Sequence, residues 1–122
     1  MNGYVWAARI ALATVFLVSG VLKSILSKER LVASGQTGVQ RLRVPTIRFI
    51  AACELAGAVG LIAPVATRIA PVLTTLTALS LGVIMVLAAV VHWRLREPLN
   101  VLLNTVLLAT CLFVAAASAS SL

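Results

Sequence analysis

Residues 48–64 read RFIAACELAGAVGLIAP, and the solvent this stretch requires decides the architecture. It is apolar on every side, begins on an arginine, ends on a proline and holds one carboxylate, Glu54, near its middle. A helix that is hydrophobic all round belongs in a large core or in a bilayer. The chain has 122 residues, too few to wrap such a helix in a soluble core. The bilayer is the expected solvent.

The flanking sequence agrees. Hydrophobic residues make up 61% of the chain and charged residues 11%, where ordinary soluble domains hold ~45–50% and about a quarter. Mean hydropathy is +1.11. Four apolar stretches stand out, 4–26, 46–63, 69–91 and 99–117. Each is long enough, at ~1.5 Å per residue, to cross a hydrocarbon core of ~30 Å. Lipid offers no partner to open backbone groups and four segments cannot close a barrel, so all four are helices. The expected fold class is all-α: one integral membrane four-helix bundle over residues 1–122. The first segment reads as a retained helix, since its apolar run is long, Lys23 follows it, and no small-x-small cleavage pattern comes after.

The net charge of +7 is placed at the ends of these spans. Lys23, Lys28, Arg30, Arg41, Arg43, Arg48, Arg94 and Arg96 fall on the side of the 27–45 and 92–98 loops, and Arg9 and Arg68 on the other. Basic loops stay cytoplasmic, which predicts long loops inside and both termini outside, in a cell membrane. The basic residues flank spans and are not interleaved with stacking aromatics, so no nucleic acid partner is expected. Tyr4, Trp6 and Trp93 read as interfacial belts. Cys53 and Cys111 lie in different helices without C-x-x-C spacing; buried free thiols are expected, with no metal site and no cofactor. Pro45, Pro64, Pro71 and Pro98 read as punctuation, Pro64 closing the second helix and the others opening spans. The 27–45 loop, with its ASGQTG turn cluster, is either a lid or a basic connector. The AAASASS tail at 115–121 is expected to fray.

Several polar residues sit in the wrong solvent. Glu54 lies eight residues past Thr46, ~12 Å deep at helical rise. Asn104 is ~9 Å deep by the same measure, with Asn100 one turn shallower on the same face. His92 ends the third span and Lys23 lies one turn inside the end of the first. All fall in the same half of the bundle, and each helix contributes at least one. Intramembrane ionisable groups face the bundle interior, where they pair or line a pathway. The candidate catalytic residues are therefore Glu54, as general acid or base, with His92 and Lys23 as its proton or charge partners. Asn104, Asn100 and Arg48 are the candidate substrate-binding residues. Each also has a structural alternative: an ion pair for Glu54, interfacial anchoring for His92 and Arg48, snorkelling for Lys23, and an inter-helix bridge for Asn104. Small residues recur as a stripe, Cys53, Gly57, Gly60 and Pro64 in the second span and Thr75, Gly82 and Ala89 in the third. Such stripes let helices approach closely, and they underlie the expectation of a homo-oligomer.

An arginine, then E-L-x-G-x-x-G-L and a proline, then a histidine closing the third helix in MVLAAVVHWRLRE (85–97), resembles the DoxX-like group of small bacterial four-helix membrane proteins. The matching positions are Arg48, Glu54, Leu55, Gly57, Gly60, Leu61, Pro64 and His92, and SGVLK at 19–23 adds Gly20 and Lys23. The resemblance covers 44–97 well and 16–23 weakly, and leaves Asn100 and Asn104 unmatched. It implies the four-helix membrane fold, and relatives are linked to membrane redox assemblies and thiosulfate–quinone chemistry. The paired cysteines and axial histidines that would hold a redox cofactor are missing from this sequence. The expected function is thus binding of a lipophilic small molecule in a pocket around Glu54, with non-redox acid–base chemistry of isomerase, cyclase or hydrolase type. The alternatives are a proton-coupled exporter and an accessory subunit of a membrane redox complex.

Overall fold

A computed structural model describes residues 3–120. Helix α1 runs Gly3–Ile25, a short α2 Lys28–Ala33, a single 3₁₀ turn Thr37–Val39, α3 Val44–Thr67, α4 Val72–Arg94 and α5 Pro98–Ser120. Among the described residues, α1, α3, α4 and α5 are the four helices long and apolar enough to span a membrane. The all-α four-helix membrane bundle expected from the sequence is what forms.

The helices pack as a ring. α1 lies along α3 and α4 along α5, and the thinner α3–α4 and α1–α5 seams close it. The core between them is built from Leu12, Phe16, Leu61, Leu81 and Val114, with Cys111 buried as a free thiol. Close approach depends on two glycines of α3. A Cβ on Gly57 would lie 2.9 Å from Leu81 Cδ2, and one on Gly60 would lie 2.4 Å from Thr77 Oγ1. Both serve the α3–α4 seam within one chain, so they do not form a free surface for self-association.

Two helix ends differ from the sequence expectation. Pro64 does not close α3; it lies inside it, buried, and the helix continues to Thr67. A proline in a helix interior leaves the carbonyl four residues earlier without its N–H donor. Here that carbonyl is Gly60 O, and it accepts the Thr74 hydroxyl of α4 at 2.9 Å. The neighbouring helix supplies the missing bond, so the span survives its proline. The tail, expected to fray, is helical through Ser120. Ser118 is buried and accepts a hydrogen bond from Arg9 Nη2 at 2.8 Å. Arg9 is therefore not a flanking charge: it is fully buried in α1, with the Trp6 ring 5.0 Å from its guanidinium carbon.

The 26–43 connection is folded over the opposite end of the bundle. Ser27 caps α2 by accepting from Arg30 N at 3.2 Å, and Gly35, at φ 107°, makes the turn that follows. Leu31, Val39 and Ile47 form a second small core with Leu22, Leu26 and Leu42. A solvated connector would not bury these side chains. The segment forms a packed cover, a lid in the static sense, over that end of the bundle.

Candidate functional site

Glu54 sits on the inward face of α3 with Ile47, Ala51, Ala58 and Leu61, a spacing that keeps all five on one helical stripe. The last turn of α1 brings Lys23 to it. Lys23 Nζ donates to Glu54 Oε1 at 2.5 Å and to Ser19 Oγ at 3.0 Å. The pair is buried, the side chains only 12% and 3% exposed. Gln36 of the lid donates from Nε2 to the same Ser19 Oγ at 3.1 Å. Glu54 Oε2 is buried too and takes no hydrogen bond among the described residues. Buried polar atoms are nearly always satisfied, so this oxygen is an acceptor held open.

His92 occupies the last turn of α4. Its Nδ1 lies 2.7 Å from Glu97 Oε1, which also accepts the Thr37 hydroxyl of the lid at 2.8 Å. These two hydrogen bonds, His92 first, together with one from Asn100, hold the Glu97 carboxyl below the usual carboxylate range. An ionised carboxylate only accepts, so Nδ1 carries a proton towards Glu97, and Nε2 has no hydrogen-bond partner among the described residues. Gly38 backs the ring closely; a Cβ there would be 3.5 Å from Nε2. Glu97 thus fixes the imidazole tautomer and fastens the lid at one point.

Between these two polar clusters lies a cavity of about 480 Å³, within the ordinary range of small-molecule sites. Lys23, Glu54, His92 and Asn104 all line it, one from each long helix. Ser19 and Gln36 add a hydroxyl and an amide, and the remaining wall is apolar, with Phe16, Ile50, Ile84, Met85, Ala88 and Val91 among it. Phe49 of α3 and Leu87 of α4 also line it, yet are 69% and 61% exposed on the outside of the bundle. Two side chains of the lining thus lie on the outer surface of the bundle, one on α3 and one on α4. On the far side of Glu54 the same two helices are closed by Gly57 against Leu81 and Gly60 against Thr77.

Arg48 and Asn100 do not line this cavity. Arg48 Nη1 donates to Lys23 O and, at 3.0 Å, to Leu26 O. It satisfies carbonyls that the end of α1 leaves unpaired, where a cation is favourable. Asn100 stands behind the wall, on Glu97. Glu97 itself was missed in the sequence, although it is one of only three acidic residues and follows His92 by five positions. Ser19 lies in SGVLK and Gln36 and Thr37 in ASGQTG, yet nothing marks them individually, because hydroxyls and amides are common at helix ends and in loops.

The model of the DoxX-like family matches residues 7–114. The chain belongs to the DoxX-like family. The match takes in α3 and α4 whole and most of α1 and α5, so Asn100 and Asn104 of α5, outside the sequence resemblance, fall within it. Comparison with curated proteins and with solved structures returns no match.

Proposed function

We propose that this DoxX-like protein binds a lipophilic small molecule in the cavity around Glu54 and acts on it by non-redox acid–base chemistry. The observation that carries this reading is the cavity itself. Its walls are apolar, two of its lining side chains, Phe49 and Leu87, lie on the outer surface of the bundle, and it gathers Lys23, Glu54, His92 and Asn104 around one volume. In the proposed roles, Glu54 takes or gives a proton, Lys23 balances its charge, and His92 exchanges a proton through Nε2. Asn104 donates to an oxygen of the ligand. Acid–base help of this kind contributes ~10²–10⁴ in rate, enough for isomerisation, cyclisation or hydrolysis of a reactive lipid.

The test is chemical extraction of the purified protein. Wild type in mild detergent should carry a lipophilic molecule in near-stoichiometric amount by mass spectrometry. Ala88→Phe, which fills the cavity, should be depleted of it. Identical extracts from the two would refute the proposal. An exporter would instead show Glu54-dependent resistance of cells to a toxic compound.

The lid end is proposed to face the cytoplasm, since Lys28, Arg30, Arg41, Arg43, Arg94 and Arg96 surround it. Cysteines introduced singly at Ser34 and Arg68 report this: an impermeant thiol reagent added to intact cells should label only the second.

A further inference from the structure

We propose that the cavity selects a neutral lipophilic ligand whose polar head is a hydrogen-bond donor, a lipophilic alcohol in the simplest case, over the corresponding ether, cation or carboxylate. This rests on the reading of the cavity as a lipophile site and adds the class of head group.

Three observations lead there. The first is charge pairing. Glu54 is matched by Lys23 at 2.5 Å, and Glu97 stands behind the wall, outside the cavity lining, hydrogen-bonded to His92 and Thr37. A cationic ligand meets a carboxylate already neutralised, and an anionic one meets an ammonium already taken. Either would carry an unpaired charge into an apolar cavity, at a cost of several kcal/mol per ion. Second is the polarity of the open valence. Lys23 Nζ spends two of its three N–H groups on Glu54 and Ser19, whereas Glu54 Oε2 is buried and takes no hydrogen bond among the described residues. The carboxylate therefore offers an acceptor, and only a donor completes it. Third is how the head group arrives. Phe49 and Leu87 line the cavity and are exposed on apolar spans, so in the proposed route a ligand dissolved in the bilayer enters between α3 and α4 and reaches Glu54 without crossing the basic lid.

A hydrogen bond to an ionised group contributes ~1.5–3 kcal/mol, so deleting the donor from an otherwise unchanged ligand should weaken retention by about tenfold or more. The experiment uses the full chain in lipid nanodiscs and four probes on one carbon skeleton: farnesol, farnesyl methyl ether, farnesylamine and farnesoic acid. Retention above empty nanodiscs is measured by mass spectrometry, at neutral pH. Farnesol is expected to be retained at least about tenfold better than the ether, and better than the amine or the acid. The double variant Lys23→Met/Glu54→Leu keeps the cavity without the open carboxylate oxygen, and there the preference for farnesol over its ether should fall well below the wild-type ratio.

Equal retention of alcohol and ether by wild type, lost in Ala88→Phe, would overturn the head-group selection and leave the lipophile site standing. Preference for the amine would overturn the charge-pairing step and favour export of hydrophobic cations. No retention of any probe above empty nanodiscs would remove the lipophile site and the selection with it.

Discussion

Replacing Lys23 by methionine tests whether Glu54 is paired in a buried site. In the wild type the two side chains are 12% and 3% exposed and 2.5 Å apart. Lys23→Met leaves a carboxylate with no counter-charge and no donor, and removing one partner of a buried pair costs ~3–5 kcal/mol. The stranded group can escape by taking up a proton, which at pH 7 costs an ordinary carboxylic acid ~3.7 kcal/mol. The expected loss is therefore ~3–4 kcal/mol, bounded by that escape. Glu54→Leu should cost less, roughly 1–2 kcal/mol, because Lys23 is near a helix end and its stem can carry the ammonium towards the head groups. In the double variant nothing is stranded, and stability should return to within ~1 kcal/mol of wild type. Reversible SDS-induced unfolding in mixed micelles, followed by circular dichroism, measures all four proteins. A single Lys23→Met variant as stable as wild type, or a double variant carrying the summed loss of both singles, would refute the buried-pair argument.

Thr74→Val should cost ~1–2 kcal/mol, because it removes the donor to Gly60 O. Adding Pro64→Ala should restore most of it through the regained backbone N–H; an additive loss in the same unfolding assay would argue against this exchange. Gly60→Ala places a Cβ 2.4 Å from Thr77 Oγ1 and 3.2 Å from Thr77 Cβ, so α4 must move, at ~1–3 kcal/mol. Gly82→Ala meets nothing closer than 3.5 Å and should be neutral or gain ~0.5–1 kcal/mol; melting temperatures that rank the two variants the other way would contradict the seam. The lid should also respond to acid. Glu97 is held below its ordinary value by His92, Thr37 and Asn100, so its contribution to lid docking is full at neutral pH. That contribution should fade as pH falls below about 4.3, the ordinary carboxylate value, and through the lower folded one. Hydrogen exchange in residues 34–40, corrected for its intrinsic pH dependence, should rise over that window in wild type. Glu97→Gln should be raised already at neutral pH.

Much of this protein was settled before any tertiary contact formed. The spans follow from length and hydropathy alone, because a bilayer demands closed backbone hydrogen bonding over a fixed thickness. The family pattern and the common depth of Lys23, Glu54, His92 and Asn104 were also legible, since helical rise converts sequence position into depth whatever the neighbours are. Azimuth is different. In a helix apolar on all sides, no amphipathic stripe marks which face is inside, so the sequence could not show that Arg48 turns to the end of α1 or that Arg9 points into the bundle. Nor could it show that Pro64 is bridged from within: the donor to Gly60 O comes from another helix, and propensity alone stops α3 there. Glu97, Thr37 and Gln36 became site residues only because the 26–43 segment folds back over the bundle, burying Leu31 and Val39 against Ile47. Hydropathy and depth are properties of one helix in its solvent. Pairing, the open oxygen of Glu54 and the cavity beside it are properties of several helices at once, and only packing decides them.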